Sequence, residues 1–175
     1  MGRTLAIVLI VSLCGCALSG SAALRRFKPT KAEPASEALD PVLQATLREL
    51  VVAKGLRLSR LRKQPYVVVM ADSDYITAAI LPTLDKLNFL VLTPEQVSQI
   101  ASWNGDFLYV RMELRALSQS DATVLFEVVE TSFDCCSRAR RDSVLANLQL
   151  TTEDGWKVKQ VIPFTNPAYF KASQP

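Results

Sequence analysis

The sequence predicts an α+β domain, a two-layer sandwich of two helices packed on a four- to five-stranded, mainly antiparallel sheet. Two segments carry apolar residues at helical spacing behind a start signal, one after Asp40-Pro41 and one after Thr93. From about Leu108 to Ile162, apolar and polar residues alternate, as in strands with one buried face. Helices followed by a run of adjacent strands are typical of this class.

The first helix is predicted to begin at Asp40-Pro41. Aspartate accepts hydrogen bonds from the first turn, and proline suits the first helical position. Gly55 is expected to end the helix. The apolar residues that recur at helical spacing between these ends are Leu43, Leu47, Leu50 and Val51.

A short β-branched run at 66–70, directly after Pro65, predicts a buried strand. It delivers the carboxylates of Asp72 and Asp74 just beyond its end. Pro82 limits any long helix between 75 and 90, so a short helical piece or a loop is expected there.

The second helix is predicted from the capping box Thr93-Pro94-Glu95-Gln96. The Thr93 hydroxyl accepts from the Gln96 amide while the Gln96 side chain reaches back to residue 93. The helix is expected to run to about Trp103, and Asn104-Gly105 then breaks it.

The C-terminal half predicts a four-stranded meander, with turns at 119–121 and 153–155. The predicted inward positions are Leu108, Val110, Met112, Leu114 and Ala116; Val124, Phe126 and Val128; Ala146, Leu148 and Leu150; and Trp156, Val158 and Ile162. This order of elements resembles cystatin-like and NTF2-like folds. The resemblance implies a concave sheet face that Trp103, Phe107, Tyr109 and Phe126 line as a pocket, although aromatic residues beside a sheet are usually core.

The first residues are typical of an export signal, with Arg3 ahead of an apolar run from Leu5 to Leu13. The run leads into Leu13-Cys14-Gly15-Cys16, which resembles the bacterial lipobox. The resemblance implies that Cys16 is joined to diacylglycerol, that residues 1–15 are removed and that the new amine is acylated, for example with palmitate. Ala17 in place of aspartate favours the outer membrane, on its periplasmic face. The alternative is a secreted protein that is cut after Ala22 or Ala23.

Domain boundaries follow from this leader. Residues 16–39 are rich in Ala, Ser, Pro and Lys, without an apolar period, so we expect a lipidated N-terminus and a flexible tether. The α+β domain is expected over 40–165. Residues 166–175 are expected to form a tail that docks briefly or frays.

Histidine is absent from the 175 residues, which excludes Ser-His-Asp and Cys-His catalysis and histidine-ligated zinc. The formal net charge is only +3, and the basic residues form short clusters. No nucleic acid, metal or cofactor is therefore expected, and the clusters are interpreted as solvated faces or weak attraction to anionic lipid. These clusters are Arg25, Arg26 and Lys28; Arg57, Arg60, Arg62 and Lys63; and Arg138, Arg140 and Arg141.

Two pairs of residues are the candidate sites besides Cys16. Cys135 and Cys136 are adjacent, so they form a strained vicinal disulfide or a redox-active thiol pair, bridge elsewhere, or are ordinary loop residues. Asp72 and Asp74 point the same way in an extended segment, as ligand or ion contacts do, although aspartates near a strand end are more often turn formers.

The expected function is therefore non-enzymatic binding or assembly at a membrane, with lipid as one partner and an envelope protein as the other. An alternative is an NTF2-like pocket protein that binds or transforms a small ligand with Asp72, Asp74 or Glu127. A second alternative is thiol redox chemistry at Cys135 and Cys136.

Overall fold

The computed structural model describes residues 24–35, 37–52, 58–84, 87–104, 107–131 and 141–164. Its helices are α1 (Asp40–Val52), α2 (Leu58–Leu61) and α3 (Pro94–Asn104), with a 3-10 turn at Ala78–Ile80. Its strands are β1 (Val67–Met70), β2 (Phe89–Leu92), β3 (Leu108–Leu117), β4 (Asp121–Glu130), β5 (Arg141–Thr151) and β6 (Gly155–Pro163). Among the residues described, no helix has the length and apolar character needed to cross a bilayer.

The six strands form one mixed sheet in the order β2-β1-β3-β4-β5-β6. β1 is parallel to both β2 and β3, and the remaining pairings are antiparallel. The α+β class with two main helices on a sheet is confirmed, but the predicted count of four to five strands is wrong. The unpredicted strand is β2, whose Phe-Leu-Val-Leu sequence shows no alternation, as is common in buried parallel strands.

The two longer helices cover opposite faces of the sheet. α1 packs on the face that contains Val67 and Val69, in the larger apolar cluster, whereas α3 packs on the face of Val68. The two faces are therefore covered at different ends of the sheet, by α1 over β4, β5 and β6 and by α3 over β1 and β2, where the sequence predicts two layers. The larger side chains of α1 in this cluster are Val42, Leu43, Leu47, Leu50 and Val51, and full burial of each stabilises the fold by about 1.5–3 kcal/mol.

The start of α3 was predicted at the correct residue. α1 begins at the predicted Asp40, but the Leu39 carbonyl accepts the first helical bonds, from the Val42 and Leu43 amides, so the prediction of Asp40 as the N-cap is wrong. At α3 the capping box is confirmed, because the Thr93 amide donates to Gln96 Oε1 at 2.9 Å and the Gln96 amide donates to Thr93 Oγ1 at 3.4 Å. At α1 the buried Asp40 carboxylate accepts from the Glu37 amide at 2.9 Å, a residue that precedes the helix. Asp40 thus ties the incoming chain to α1.

The alternating strand pattern is largely confirmed, and Phe126 is a fully buried core residue. Three predicted inward positions are wrong. Leu150 is 46% exposed near the end of β5, and Ala116 and Ile162 are displaced because the register shifts next to them. Arg115 is the extra residue of a bulge in β3, so Ala116 pairs with Thr123 on the outer face and is exposed. Lys159 is the extra residue in β6, so Ile162 leaves the α1 face and is 39% exposed.

Residues 24–35, which the sequence assigns to a flexible tether, instead pack on the domain. Leu24 is fully buried in the smaller apolar cluster, and the Phe27 carbonyl accepts from the Tyr66 hydroxyl at 2.8 Å. Farther along, the Thr30 amide donates to the Phe89 carbonyl at 2.8 Å. The tether prediction is wrong for these residues, since isolated contacts hold them without the apolar period that identifies a packed helix or strand.

Truncation of Leu24 tests this packing. We expect Leu24→Ala to lower the free energy of unfolding by about 2–4 kcal/mol, because it leaves a cavity in the smaller cluster. Urea denaturation followed by circular dichroism measures the change. Leu150→Ala is the matched control, because that leucine is 46% exposed and its loss should cost less than about 1 kcal/mol. Equal losses in the two variants would show that Leu24 does not belong to the core.

Candidate functional site

Polar side chains from four parts of the chain meet on the sheet face opposite α1. Arg111 on β3 pairs in register with Glu127 on β4, which pairs with Ser143 on β5. Asp72 lies two residues beyond β1, and the parallel pairing of β1 with β3 brings the chain that leaves β1 close to Arg111. These four residues are called the Arg111 cluster.

The Arg111 guanidinium joins the two carboxylates of the cluster. Its Nε donates a hydrogen bond to Asp72, and its Nη1 lies 3.5 Å from Glu127 Oε2. The other Glu127 oxygen, Oε1, accepts from the Ser143 hydroxyl at 2.9 Å. The side chains of Asp72 and Glu127 are only 15% and 10% exposed, whereas Arg111 is 35% exposed. Two shielded carboxylates therefore share one half-buried cation.

The environment keeps Arg111 charged. The hydrogen bond that Arg111 donates to Asp72 raises the pKa of Arg111 above its ordinary value, and this effect outweighs the opposing effect of burial. The charges of Asp72 and Glu127 act in the same direction. The guanidinium is consequently a permanent cation at any physiological pH.

Tyr109 borders the cluster on the same face of β3. Its ring centroid is 6.3 Å from that of Phe107, with 50° between the ring planes. Burial raises the pKa of the Tyr109 phenol above its ordinary value, although the nearby Arg141 and Arg111 oppose the shift. Tyr109 therefore presents a neutral hydroxyl near neutral pH.

The structure separates the carboxylates that the sequence places together. Asp72 belongs to the cluster, whereas Asp74 is exposed and takes no part in its hydrogen bonds. Glu127, the carboxylate named for pocket chemistry, comes together with Asp72 through Arg111 instead. Arg111 itself was missed, because it occupies a strand position that the alternation assigns to solvent.

The remaining residues named from the sequence lie outside the Arg111 cluster. Phe107 is buried and Tyr109 half-buried in the smaller apolar cluster, and the side chain of Trp103 lies outside the described part. Cys16, Cys135, Cys136 and the tail at 166–175 also lie outside the described residues. Within the described ranges, no group of three or more Cys, Asp or Glu side chains is placed to hold a metal ion.

The chemistry that the Arg111 cluster can perform follows from its hydrogen bonds. Asp72 and Glu127 each have a hydrogen-bond or ion-pair partner in Arg111 or Ser143. The part of Arg111 that faces solvent offers charged N–H donors, which suit an anionic group on a binding partner.

No protein-family model matches the chain, and comparisons with curated proteins and with solved structures gave no match. The resemblance to cystatin-like and NTF2-like folds therefore gains no support from these comparisons. The six-stranded order with β1 parallel to both neighbours does not support it either.

Replacement of Arg111 tests how much the Arg111 cluster contributes to the stability of the fold. We expect Arg111→Met to lower the free energy of unfolding by about 2 kcal/mol, because two shielded carboxylates lose their counter-charge. The cost is below that of a fully buried pair because a third of Arg111 remains in solvent. Arg115→Met is the control, since Arg115 pairs with Glu113 at the surface and its loss should cost less than about 1 kcal/mol. Urea denaturation of both variants measures the two losses in free energy of unfolding. Equal losses would contradict a stabilising role of the Arg111 cluster.

Alkaline titration tests the environment of Tyr109. The raised pKa means that the folded state holds the phenol proton more tightly than the unfolded chain. Its contribution to stability is therefore present below the ordinary tyrosine pKa and is lost as pH rises through the folded-state value. The tyrosinate absorbance of the four tyrosines should show a late step that disappears in Tyr109→Phe and persists in Tyr75→Phe. If the late step persists in Tyr109→Phe, it belongs to another tyrosine.

Proposed function

We propose that the chain is a bacterial lipoprotein whose domain is a non-enzymatic binding or assembly module of the cell envelope. The observation that carries the proposal is Leu13-Cys14-Gly15-Cys16, placed directly behind an apolar run of signal-peptide length. Acyl chains on Cys16 would hold the protein at the membrane. Several chains make release negligible, because each buried methylene contributes about 0.8 kcal/mol.

The packing of Leu24 supports removal of the leader at Cys16 rather than downstream. Cleavage after Ala23 would leave a charged amine on the residue whose side chain is fully buried. A charge beside an apolar cluster carries a desolvation cost. Cleavage before Cys16 keeps an ordinary peptide bond at Leu24 and places the new terminus eight residues away.

The Arg111 cluster supports recognition rather than catalysis as the work of the domain. Of the carboxylates considered for pocket chemistry, Asp72 and Glu127 are hydrogen-bonded or ion-paired within it. What it offers outward is an exposed part of a fixed guanidinium, beside a half-buried tyrosine. An envelope protein with an anionic side chain fits this chemistry, and Ala17 in place of aspartate favours the outer membrane and its periplasmic face.

Substitution of the lipobox cysteine tests the anchor. Cys16→Ser should abolish incorporation of labelled palmitate and release the protein from the membrane fraction, because serine cannot form the thioether. Cys14→Ser is the matched control and should leave labelling and fractionation unchanged. A mature N-terminus that mass spectrometry finds unmodified at Leu24 would disprove the anchor.

The binding role is tested in the same cells. Crosslinking of the anchored protein should capture one stable envelope partner, and Arg111→Met should reduce that yield by at least about tenfold, as loss of a charged contact predicts. Arg115→Met should leave the yield unchanged. Equal capture by both variants would remove the Arg111 cluster from the proposal.

A further inference from the structure

The N-terminal stretch 24–31, called here the basic segment, has an apolar side and a charged side. Leu24 is buried and Phe27 packs against the smaller apolar cluster. Four basic residues and no acidic one lie in the same stretch. All four basic residues are exposed, namely Arg25, Arg26, Lys28 and Lys31.

The basic segment is fixed to one edge of the sheet. The Thr30 amide donates to the Phe89 carbonyl at 2.8 Å, and the Val91 amide donates to Thr30 Oγ1 at 3.0 Å. Phe89 and Val91 belong to β2, the first strand of the sheet order, and β6 lies at the other end. With neighbouring strands about 4.8 Å apart, the β6 edge is about 24 Å from the β2 edge.

The distance along the chain from Cys16 to the basic segment is short. Seven residues, 17–23, separate Cys16 from Leu24. Even a fully extended chain covers at most about 3.6 Å per residue, so the two Cα atoms are at most about 29 Å apart. An acylated Cys16 would therefore hold the β2 edge near the head groups, and nearer on average than the β6 edge.

We infer that the basic segment lies against anionic lipid head groups, so that the domain stands on the membrane with its β2 edge down and its β6 edge away. The inference rests on the proposed anchor at Cys16. An anionic bilayer attracts each nearby Lys or Arg, with a gain of about fivefold in binding per residue. That attraction extends over about 8–10 Å at physiological salt, so only an edge close to the surface experiences it.

Lysine modification on vesicles tests the orientation, because each edge carries two lysines. The lipidated protein is reconstituted into vesicles of phosphatidylethanolamine and phosphatidylglycerol, acetylated, and compared by mass spectrometry with the protein in neutral detergent. Lys28 and Lys31 should react several-fold more slowly on vesicles, whereas Lys157 and Lys159 on β6 should react at unchanged rates. Equal protection of both pairs, or stronger protection of the β6 pair, would overturn the orientation.

A second measurement separates this inference from the anchor. The chain carrying Cys16→Ser should bind phosphatidylglycerol vesicles weakly and lose binding as salt rises. Lys28→Gln with Lys31→Gln should weaken that binding by about 25-fold, and Lys157→Gln with Lys159→Gln by less than about twofold. Both double variants remove two positive charges from the chain, so net charge is matched.

The outcomes of the two measurements are distinguishable. If Cys16 proves unacylated while only the basic-segment variant loses vesicle binding, the proposed anchor fails and the lipid-binding surface stands. If Cys16 is acylated and the two double variants bind equally, the surface is wrong and the anchor stands. Equal binding to phosphatidylcholine and phosphatidylglycerol vesicles would also overturn the surface, because its recognition is electrostatic.

Discussion

Strand β1 is the part of the sheet on which the other elements depend. It is hydrogen-bonded to a parallel neighbour on each side, and its three valines are almost completely buried. Because successive side chains point to opposite faces, Val67 and Val69 join the cluster under α1 while Val68 joins the cluster under α3. One four-residue strand therefore links both apolar clusters, and its far end delivers Asp72 to Arg111.

The parts of the fold that the sequence could predict are those encoded by local periods. The β3 to β6 meander and the Thr93 capping box needed only neighbouring residues to be identified. β2 and the parallel pairing of β1 depend on contacts between distant segments. The four apolar residues of β2 do not alternate with polar ones, so the sequence could not identify this strand. Each bulge, at Arg115 and at Lys159, inserts one extra residue, so the side chains that follow it point to the opposite face of the sheet. An alternating sequence pattern does not show where such an insertion occurs.

The candidate site, like the fold, was predictable only in part. Asp72 and Glu127 could be named because carboxylates are recognisable in any sequence, but the residue that joins them could not. Arg111 is 39 residues from Asp72 and 16 from Glu127. Only the strand register brings the three residues together. From the sequence alone, an arginine at a polar strand position indicates a solvent-exposed side chain. The contact ties the chain that follows β1 to β3, because Arg111 binds Asp72 two residues beyond the end of β1.

The two edges of the sheet are protected in different ways, and this difference bears on how the protein would work at a membrane. The basic segment bonds to the outer edge of β2, so that edge is covered by the chain itself. β6 instead carries Lys157, Lys159 and a bulge, devices that discourage pairing with another strand, and its Val158 amide donates to Glu49 of α1 at 3.2 Å. An anchor on the β2 side leaves β6 and its neighbours facing away from the lipid. If the proposed anchor holds, the side at the bilayer is the one already closed by the basic segment, whereas the described part of the β6 edge is protected by lysines, a bulge and the Glu49 contact.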